Sequence, residues 1–336
     1  MDQHLPLVLD EANLASYLAT RGLLQTGETV VVRELSGGVS NRAFWVEGPG
    51  GALVVKQARP RLAVKMEWRA DVRRVVREAE AMQWLHERLG PPRIPRMVHL
   101  DREAKALVME AVPPPAENYK TRLLAGRVEM DSARDFGLLL AEIHTLTATP
   151  ETRDQFHDAT FFDQLRLSPY FDTTGERHPD LAPRFTELRR ECLEQRYCLV
   201  HGDYSPKNVL VRPTGLVLLD YEVAHWGNPS FDLGFALTHY LCKSMHLPGQ
   251  GGAFIDAARF FWRAYQDRVR LTPASRANAG YHLAAIMLAR MDGKSPLEYF
   301  NDERRKAVVR RLTRTALSVS GTTVDHVIDA IESELP

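Results

Sequence analysis

The sequence predicts an α+β fold in two lobes, a β-rich N-terminal lobe followed by a larger and mainly helical one. Three observations carry this expectation. Residues 29 to 58 contain three short strand-like runs, apolar spacing becomes helical beyond residue 119, and the proline-rich stretch "PPPAEN" separates the two regimes. The expected boundaries are therefore residues 1–112, a connection at 113–118, and residues 119–336.

The elements follow in order. A helix is expected at roughly residues 10 to 24. The runs "TVVVREL", "RAFWVEG" and "ALVVKQA" are β-branched and aromatic, and "GPGG" turns the second into the third, which makes a β-meander. In "RADVRRVVREAEAMQWLHERL", Val72, Val75, Val76, Ala79, Met82 and Leu85 recur at helical spacing until Gly90 and two prolines end the pattern. One amphipathic helix over 69–89 is the expectation. "RMVHLDREAKALVMEAV" reads as a hairpin. Beyond the connection, "SARDFGLLLAEIHTL" is a buried helix, residues 147–198 read as a polar stretch, and further helical patterns occupy "GGAFIDAARFFWRAYQDRV", "AGYHLAAIMLARM" and "DERRKAVVRRLTRTALSV".

Composition narrows the function classes. With 336 residues, 44% of them hydrophobic, the chain can bury a full core in two lobes. The 43 basic and 43 acidic residues balance, so no global field marks a nucleic-acid or membrane-surface binder. Cys192, Cys198 and Cys242 form no CxxC pair, which points away from a disulfide framework or structural zinc and toward a reducing cytoplasm. The N-terminus lacks a signal-peptide pattern and no apolar run approaches membrane-spanning length, so neither secretion nor a membrane partner is expected.

The chemistry concentrates in "LVHGDYSPKNVLVRPTGLVLLDYEVAHWG", residues 199–227. Two strands, "NVLV" and "LVLLD", are joined by a turn at Pro213, Thr214 and Gly215, and the loop before them is more polar than a hairpin requires. The hairpin would bring Asp203, Asn208 and Asp220 toward one end of a small sheet. Two carboxylates and an amide oxygen suit a hard divalent cation. The interval from Asp203 to Asn208 equals that of the kinase catalytic loop HRDxxxxN, with Gly202 in place of arginine, and Asp220 follows one hairpin later, as a kinase metal-binding aspartate does.

Written out, "HGDYSPKN" with "LLDYE" resembles the aminoglycoside phosphotransferase and choline kinase superfamily, which has a protein-kinase-like fold, and the resemblance covers nearly the whole chain. "VVKQARP", "LVMEAV" and the acidic pair Asp220 and Glu222 are most similar to methylthioribose kinases, from whose catalytic loop Asn208 departs. The resemblance implies an ATP-dependent kinase acting on a hydroxyl of a small molecule, with ATP and Mg²⁺ as cofactors. It implies that residues 1–112 bind the nucleotide, that 113–118 are a hinge, and that 119–336 carry catalysis and the acceptor. Asp203 would be the catalytic base, and Asn208 and Asp220 would hold Mg²⁺ with Glu222 as a further ligand. Lys56 would contact the phosphates and pair with Glu78. The carbonyl of Glu110 and the amide of Val112 would meet the adenine edge, and Ser36, Gly37, Gly38 and Ser40 would cover the phosphates.

Each residue also has a plainer reading. Asp203 and Asn208 could cap turns, Lys56, Glu78 and Lys207 could be solvated charges, and Asp232 could be a helix N-cap rather than a brace for the catalytic loop. His201 reads as a satisfied structural histidine. His225, Trp226, His239 and Tyr240 are candidates for acceptor selectivity or for packing. The seven basic residues from Arg59 to Arg77 read as a solvated helix face rather than an RNA contact. From His225 to the C-terminus 14 Lys and Arg face 11 Asp and Glu, so a neutral or anionic acceptor is expected rather than a polycationic one. The competing functions are a nucleotide-binding pseudokinase serving as an interaction module, and a metal-dependent hydrolase built on His201, Asp203, Asp220 and His225.

Overall fold

The structure, a computed structural model, describes residues 7–35, 40–61 and 70–335. The chain divides into two compact units, Met1–Pro115 and Ala116–Pro336, and the division falls inside the proline-rich stretch.

The first unit is an antiparallel sheet of five strands, β1 (Val31–Glu34), β2 (Asn41–Gly48), β3 (Gly51–Ala58), β4 (Met97–Asp101) and β5 (Ala106–Glu110), in the order β1-β2-β3-β5-β4. Strand alternation sends Phe44, Val46 and Val55 to one face, where Leu14, Tyr17 and Leu18 of the helix Leu14–Thr20 close the core with Leu9, Ala106 and Val108. Lys56, next to Val55, therefore belongs to the other face. The helix Arg74–Leu89 buries Val75, Ala79, Met82 and Leu85 together with Glu78. It begins later than the expected residue 69. The Asp71 carboxylate accepts the backbone N–H of Arg73 at 2.8 Å and competes with helical hydrogen bonding there.

The basic run is also not one solvated face. Arg74 is fully buried and donates to the carbonyls of Asp71 at 3.0 Å, Arg59 at 2.9 Å, and Ser40. Arg77 is buried as well. A guanidinium offers five donors, so Arg74 is consumed in tying loop carbonyls together.

The second unit holds two small antiparallel sheets. One joins β6 (Glu117–Asn118), β8 (Val209–Arg212) and β9 (Gly215–Leu218), and the other pairs β7 (Cys198–Val200) with β10 (His225–Gly227). Helices Met130–Leu146 and Pro229–His246 pack against them, and Gly251–Arg268 and Ala279–Asp292 pack on those helices. The helix Pro229–His246 is buried on nearly all sides, its polar residues Asp232, Thr238, His239, Lys243 and Ser244 included. Gly234 permits this. A Cβ there would come within 2.7 Å of the Leu283 backbone nitrogen.

The stretch 147–198 is not simply polar connection. It contains helices Pro150–Phe156 and Ala182–Glu194 and a run of wide, π-type turns over Asp163–Asp172 that encloses Pro169. Phe161, Phe162, Leu165, Leu167, Tyr170 and Phe171 are buried, but their spacing keeps to no 3.6-residue period.

Candidate active site

In the first unit, the Lys56 ammonium meets the Glu78 carboxylate at 2.5 Å, with side-chain exposures of 14% and 1%. Such a pair is held away from solvent screening, so both charges keep their full reach. Glu110 ends β5, its carboxylate exposed and bonded to Arg96 at 2.9 Å. Val112 follows it, half-buried, where the chain leaves the sheet. Ser40 precedes β2 with its carbonyl held by Arg74. Ser36, Gly37 and Gly38 lie outside the described residues.

In the second unit, the register of β8 and β9 pairs Val209 with Leu218, and the Leu219 amide donates to the Asn208 carbonyl at 2.9 Å. Asn208 and Asp220 thus sit at the same end of the hairpin. Asp220 has a φ of 73°, a left-handed conformation that Asp tolerates better than most residues. The Asn208 amide donates to the Asp203 carbonyl at 2.9 Å and to Asp203 Oδ2 at 2.8 Å, which leaves its own Oδ1 as the outward acceptor.

Asp203 is buried, and its Oδ2 accepts a hydrogen bond from the Asn208 amide at 2.8 Å and forms ion pairs with the Arg166 guanidinium at 2.9 Å and the more distant Lys207 ammonium at 3.7 Å. Among the described residues, no hydrogen bond reaches Oδ1. Burial pushes this carboxyl up, but Arg166 and then Lys207 outweigh it and hold Asp203 below the usual carboxylate range. It is ionised at neutral pH, with one oxygen anchored and the other available to an incoming donor.

The loop carrying Asp203 is braced from below. Asp232 accepts the backbone N–H of His201 at 2.7 Å and of Gly202 at 2.8 Å, while Asn228, not Asp232, caps the helix Pro229–His246. The N-cap reading of Asp232 is therefore incorrect. The His201 ring donates from Nε2 to the Leu219 carbonyl at 3.1 Å and accepts the Asp203 amide at Nδ1, 3.2 Å away. Burial lowers its pKa, and both nitrogens are spent on structure. Gly202 has a φ of 76°, and a Cβ there would lie 2.9 Å from Val223. A side chain in place of this glycine would strain the loop and crowd its floor.

The remaining candidates divide. Glu222 is buried, and its charge acts on Arg166 and Lys207. Lys207 is 44% exposed yet close enough to Asp203 to have its pKa raised by it. His225 stacks on Phe162 with ring centroids 4.0 Å apart and bonds the Val223 carbonyl, so it packs the core. Tyr240 is also core, its hydroxyl 3.0 Å from that of Tyr119. Trp226 lies on β10, half-buried. His239 is buried beside Phe235, 5.6 Å between centroids.

Sequence reasoning missed Arg166. It sits on the π-type turns, donates from Nε to the Gly202 carbonyl at 2.9 Å and pairs with Asp203. Its only sequence signal is a cation inside the apolar run "FFDQLRLSPYF".

Comparison with known proteins bears on the fold and the family. The choline/ethanolamine kinase family protein from Mesorhizobium loti superposes with a TM-score of 0.55, covering 95% of this chain and 99% of that one at 15% identity. The streptomycin-ATP-APH(2″)-IIa ternary complex superposes with a TM-score of 0.51, over 91% of this chain and 97% of that one at 16% identity. The fold is thus the protein-kinase-like one expected. Methylthioribose kinase 2 of Oryza sativa subsp. japonica is 25% identical over 260 residues, 67% of this chain. The match spans only 61% of that kinase's length. The pattern of the phosphotransferase enzyme family matches residues 31–273, more than half of the sequence, and the chain belongs to that family.

Proposed function

We propose that the protein transfers the γ-phosphate of Mg-ATP to a hydroxyl group of a small molecule. The observation that carries this reading is Asp203, ionised, anchored through Oδ2 by Asn208 and Arg166, and open at Oδ1 to a hydroxyl donor. The acceptor O–H donates to Oδ1. As the acceptor oxygen bonds to the γ-phosphorus and the bond to the β-phosphate oxygen breaks, the proton passes to Asp203. A carboxylate is a weak base toward an alcohol, so the proton moves late in a loose transition state.

The donor set fits a hard cation, because the Nδ2 of Asn208 is committed to Asp203 and its Oδ1 is left as a ligand. Asn208 and Asp220 would hold Mg²⁺, with Glu222 beside them. Bound there, Mg²⁺ would neutralise charge on the phosphates. Lys56, kept in place by Glu78, would contact the phosphates in the first unit. The Glu110 carbonyl and Val112 amide would meet the adenine, and the segment from Ser36 to Ser40 would cover the phosphates. On this reading residues 1–112 bind the nucleotide, 113–118 connect, and 119–336 carry the chemistry and the acceptor. Three free, buried cysteines fit a reducing compartment, and a cytoplasmic location is part of the proposal. Among the described residues, no helix is long and apolar enough to cross a membrane.

The hydrolase reading is disfavoured because neither His201 nor His225 is built as a ligand. His201 spends both ring nitrogens on backbone groups, and His225 is stacked on Phe162. The pseudokinase reading leaves the open oxygen of Asp203 without a purpose. Asp203→Asn should retain Mg-ATP binding and lose about 100-fold or more in turnover. Nucleotide titration beside an ADP-release assay tests this, and near-normal turnover by the variant would remove Asp203 from the chemistry. Activity should also need Mg²⁺ or Mn²⁺ and return when EDTA is titrated out, with Zn²⁺ a poor replacement.

A further inference from the structure

Within the second unit, the helix Pro229–His246 carries Phe235, His239 and Lys243 at successive intervals of four residues, on one face. Arg166, which holds Asp203, lies over the Phe235 ring at 5.8 Å. The face therefore starts beside the arginine that pairs with Asp203 and ends at Lys243, on the order of 12 Å further along the helix.

Lys243 is fully buried, yet among the described residues its ammonium hydrogen-bonds only the His239 carbonyl at 3.3 Å and the Tyr299 hydroxyl at 3.4 Å. Among the described residues, no carboxylate lies within ion-pair distance of it. Buried lysines are ordinarily paired, since an isolated buried ammonium is strongly destabilising. The surroundings add positive charge. Arg290 donates to Tyr170, to the Ser295 carbonyl at 2.5 Å and to the Ser295 hydroxyl at 2.9 Å, all neutral groups, and its Nε has no partner among the described residues. Lys120 lies over the same Tyr299 ring as Lys243, at 5.9 Å and 4.9 Å respectively. One carboxylate, Glu298, answers this group. It pairs with Lys120, and its side chain is 64% exposed. The charges of Lys243, Arg290, Lys120 and Lys207 all bear on His239, and burial together with them keeps its imidazole neutral.

We propose that Lys243, Arg290 and Lys120 form a seat for an oxyanion carried by the acceptor, which makes the substrate a hydroxyl compound that also bears a carboxylate or phosphate. This rests on the phosphotransferase reading, in which the acceptor hydroxyl meets Asp203. The seat takes the opposite end of the same molecule. Glu298, at the surface, occupies part of it in the absence of acceptor, and the incoming oxyanion displaces that carboxylate from Lys120.

The test has a binding arm and a turnover arm. The whole protein, saturated with Mg-ADP, is titrated calorimetrically with inorganic phosphate. The wild type should bind it saturably, Lys243→Met should weaken binding at least 10-fold, and Glu298→Gln, a surface change that threatens folding little, should tighten it several-fold. Absence of saturable binding, or affinity indifferent to both substitutions, overturns the seat. In the second arm, ADP release is measured with ribose, ribonate and ribose 5-phosphate. At least one anionic member should exceed ribose 10-fold or more in kcat/KM, and the better of the two identifies carboxylate or phosphate. Equal or better use of ribose overturns the seat. If phosphate binds in a Lys243-dependent way but no hydroxyl compound supports ADP release, the phosphotransferase reading has failed and the seat has not.

Discussion

Asp203 draws its character from Arg166, a residue 37 positions earlier in the chain. Burial alone would raise this carboxyl, and the neighbouring guanidinium reverses the direction. A depressed carboxyl pKa contributes stability above the unfolded value, and that contribution is lost as pH falls through the folded value. The kinetic counterpart is an acid limb in the pH profile of kcat/KM, where Asp203 protonates. Arg166→Met should move that limb to higher pH and lower the plateau, whereas an unchanged limb would separate Arg166 from the reacting carboxylate. Lys243 behaves in the opposite sense. Burial first, then Lys120 and Arg290, lower its pKa to about 7 against the opposing effects of Cys242 and Glu298. With neutral His239 and the Tyr299 hydroxyl completing its surroundings, it should be charged below about pH 7 and lose charge above. The KM for an anionic acceptor should then rise from pH 6 to pH 8, and Lys243→Arg, which stays charged, should flatten the rise.

At the scale of elements, the loop carrying Asp203 is held by a helix as well as by its own hairpin. Asp232 is fully buried, accepts two loop amides and has His144 3.3 Å away. Charged hydrogen bonds of this kind are individually strong, and removal of the acceptor strands two buried donors. Asp232→Ala should cost about 3 kcal/mol or more in chemical denaturation. It should also lower kcat, because Gly202 and Asp203 lose their fixed position. A loss of less than about 1 kcal/mol would show that the loop holds itself. In the first unit, the Lys56–Glu78 pair binds a strand to a helix at a largely buried contact. Lys56→Met should raise the ATP KM well beyond its effect on the acceptor KM, which a steady-state matrix of both substrates would read out.

For the molecule as a whole, two compact units each with its own core imply separable stability. Phe44 is fully buried among Leu14, Leu18, Val46 and Val55. Phe44→Ala should destabilise the first unit by about 3–5 kcal/mol. Hydrogen exchange followed by mass spectrometry should show protection lost across residues 7–110 while the helices Met130–Leu146 and Gly251–Arg268 keep theirs. Loss throughout the chain would mean that the units unfold as one.

The sequence by itself determined the strand meander, the long helices and the spacing of Asp203, Asn208 and Asp220, whereas the pairing of Lys56 with Glu78 was an expectation of the family resemblance. These signals are local, or depend on one hairpin register that period-2 alternation sets. What needed tertiary structure were the partners contributed by distant segments. Arg166 lies on turns without a helical period, Asp232 could be told as a loop brace rather than an N-cap only once its carboxylate met another loop's amides, and Arg74 looked solvated although it is buried under backbone carbonyls. The unpaired charge of Lys243 was equally hidden, because a lysine in a sequence carries no mark of whether a carboxylate will stand opposite it. Propensity and periodicity report how a segment uses its own neighbours, whereas burial and electrostatic pairing arise only when segments far apart in the chain are packed together.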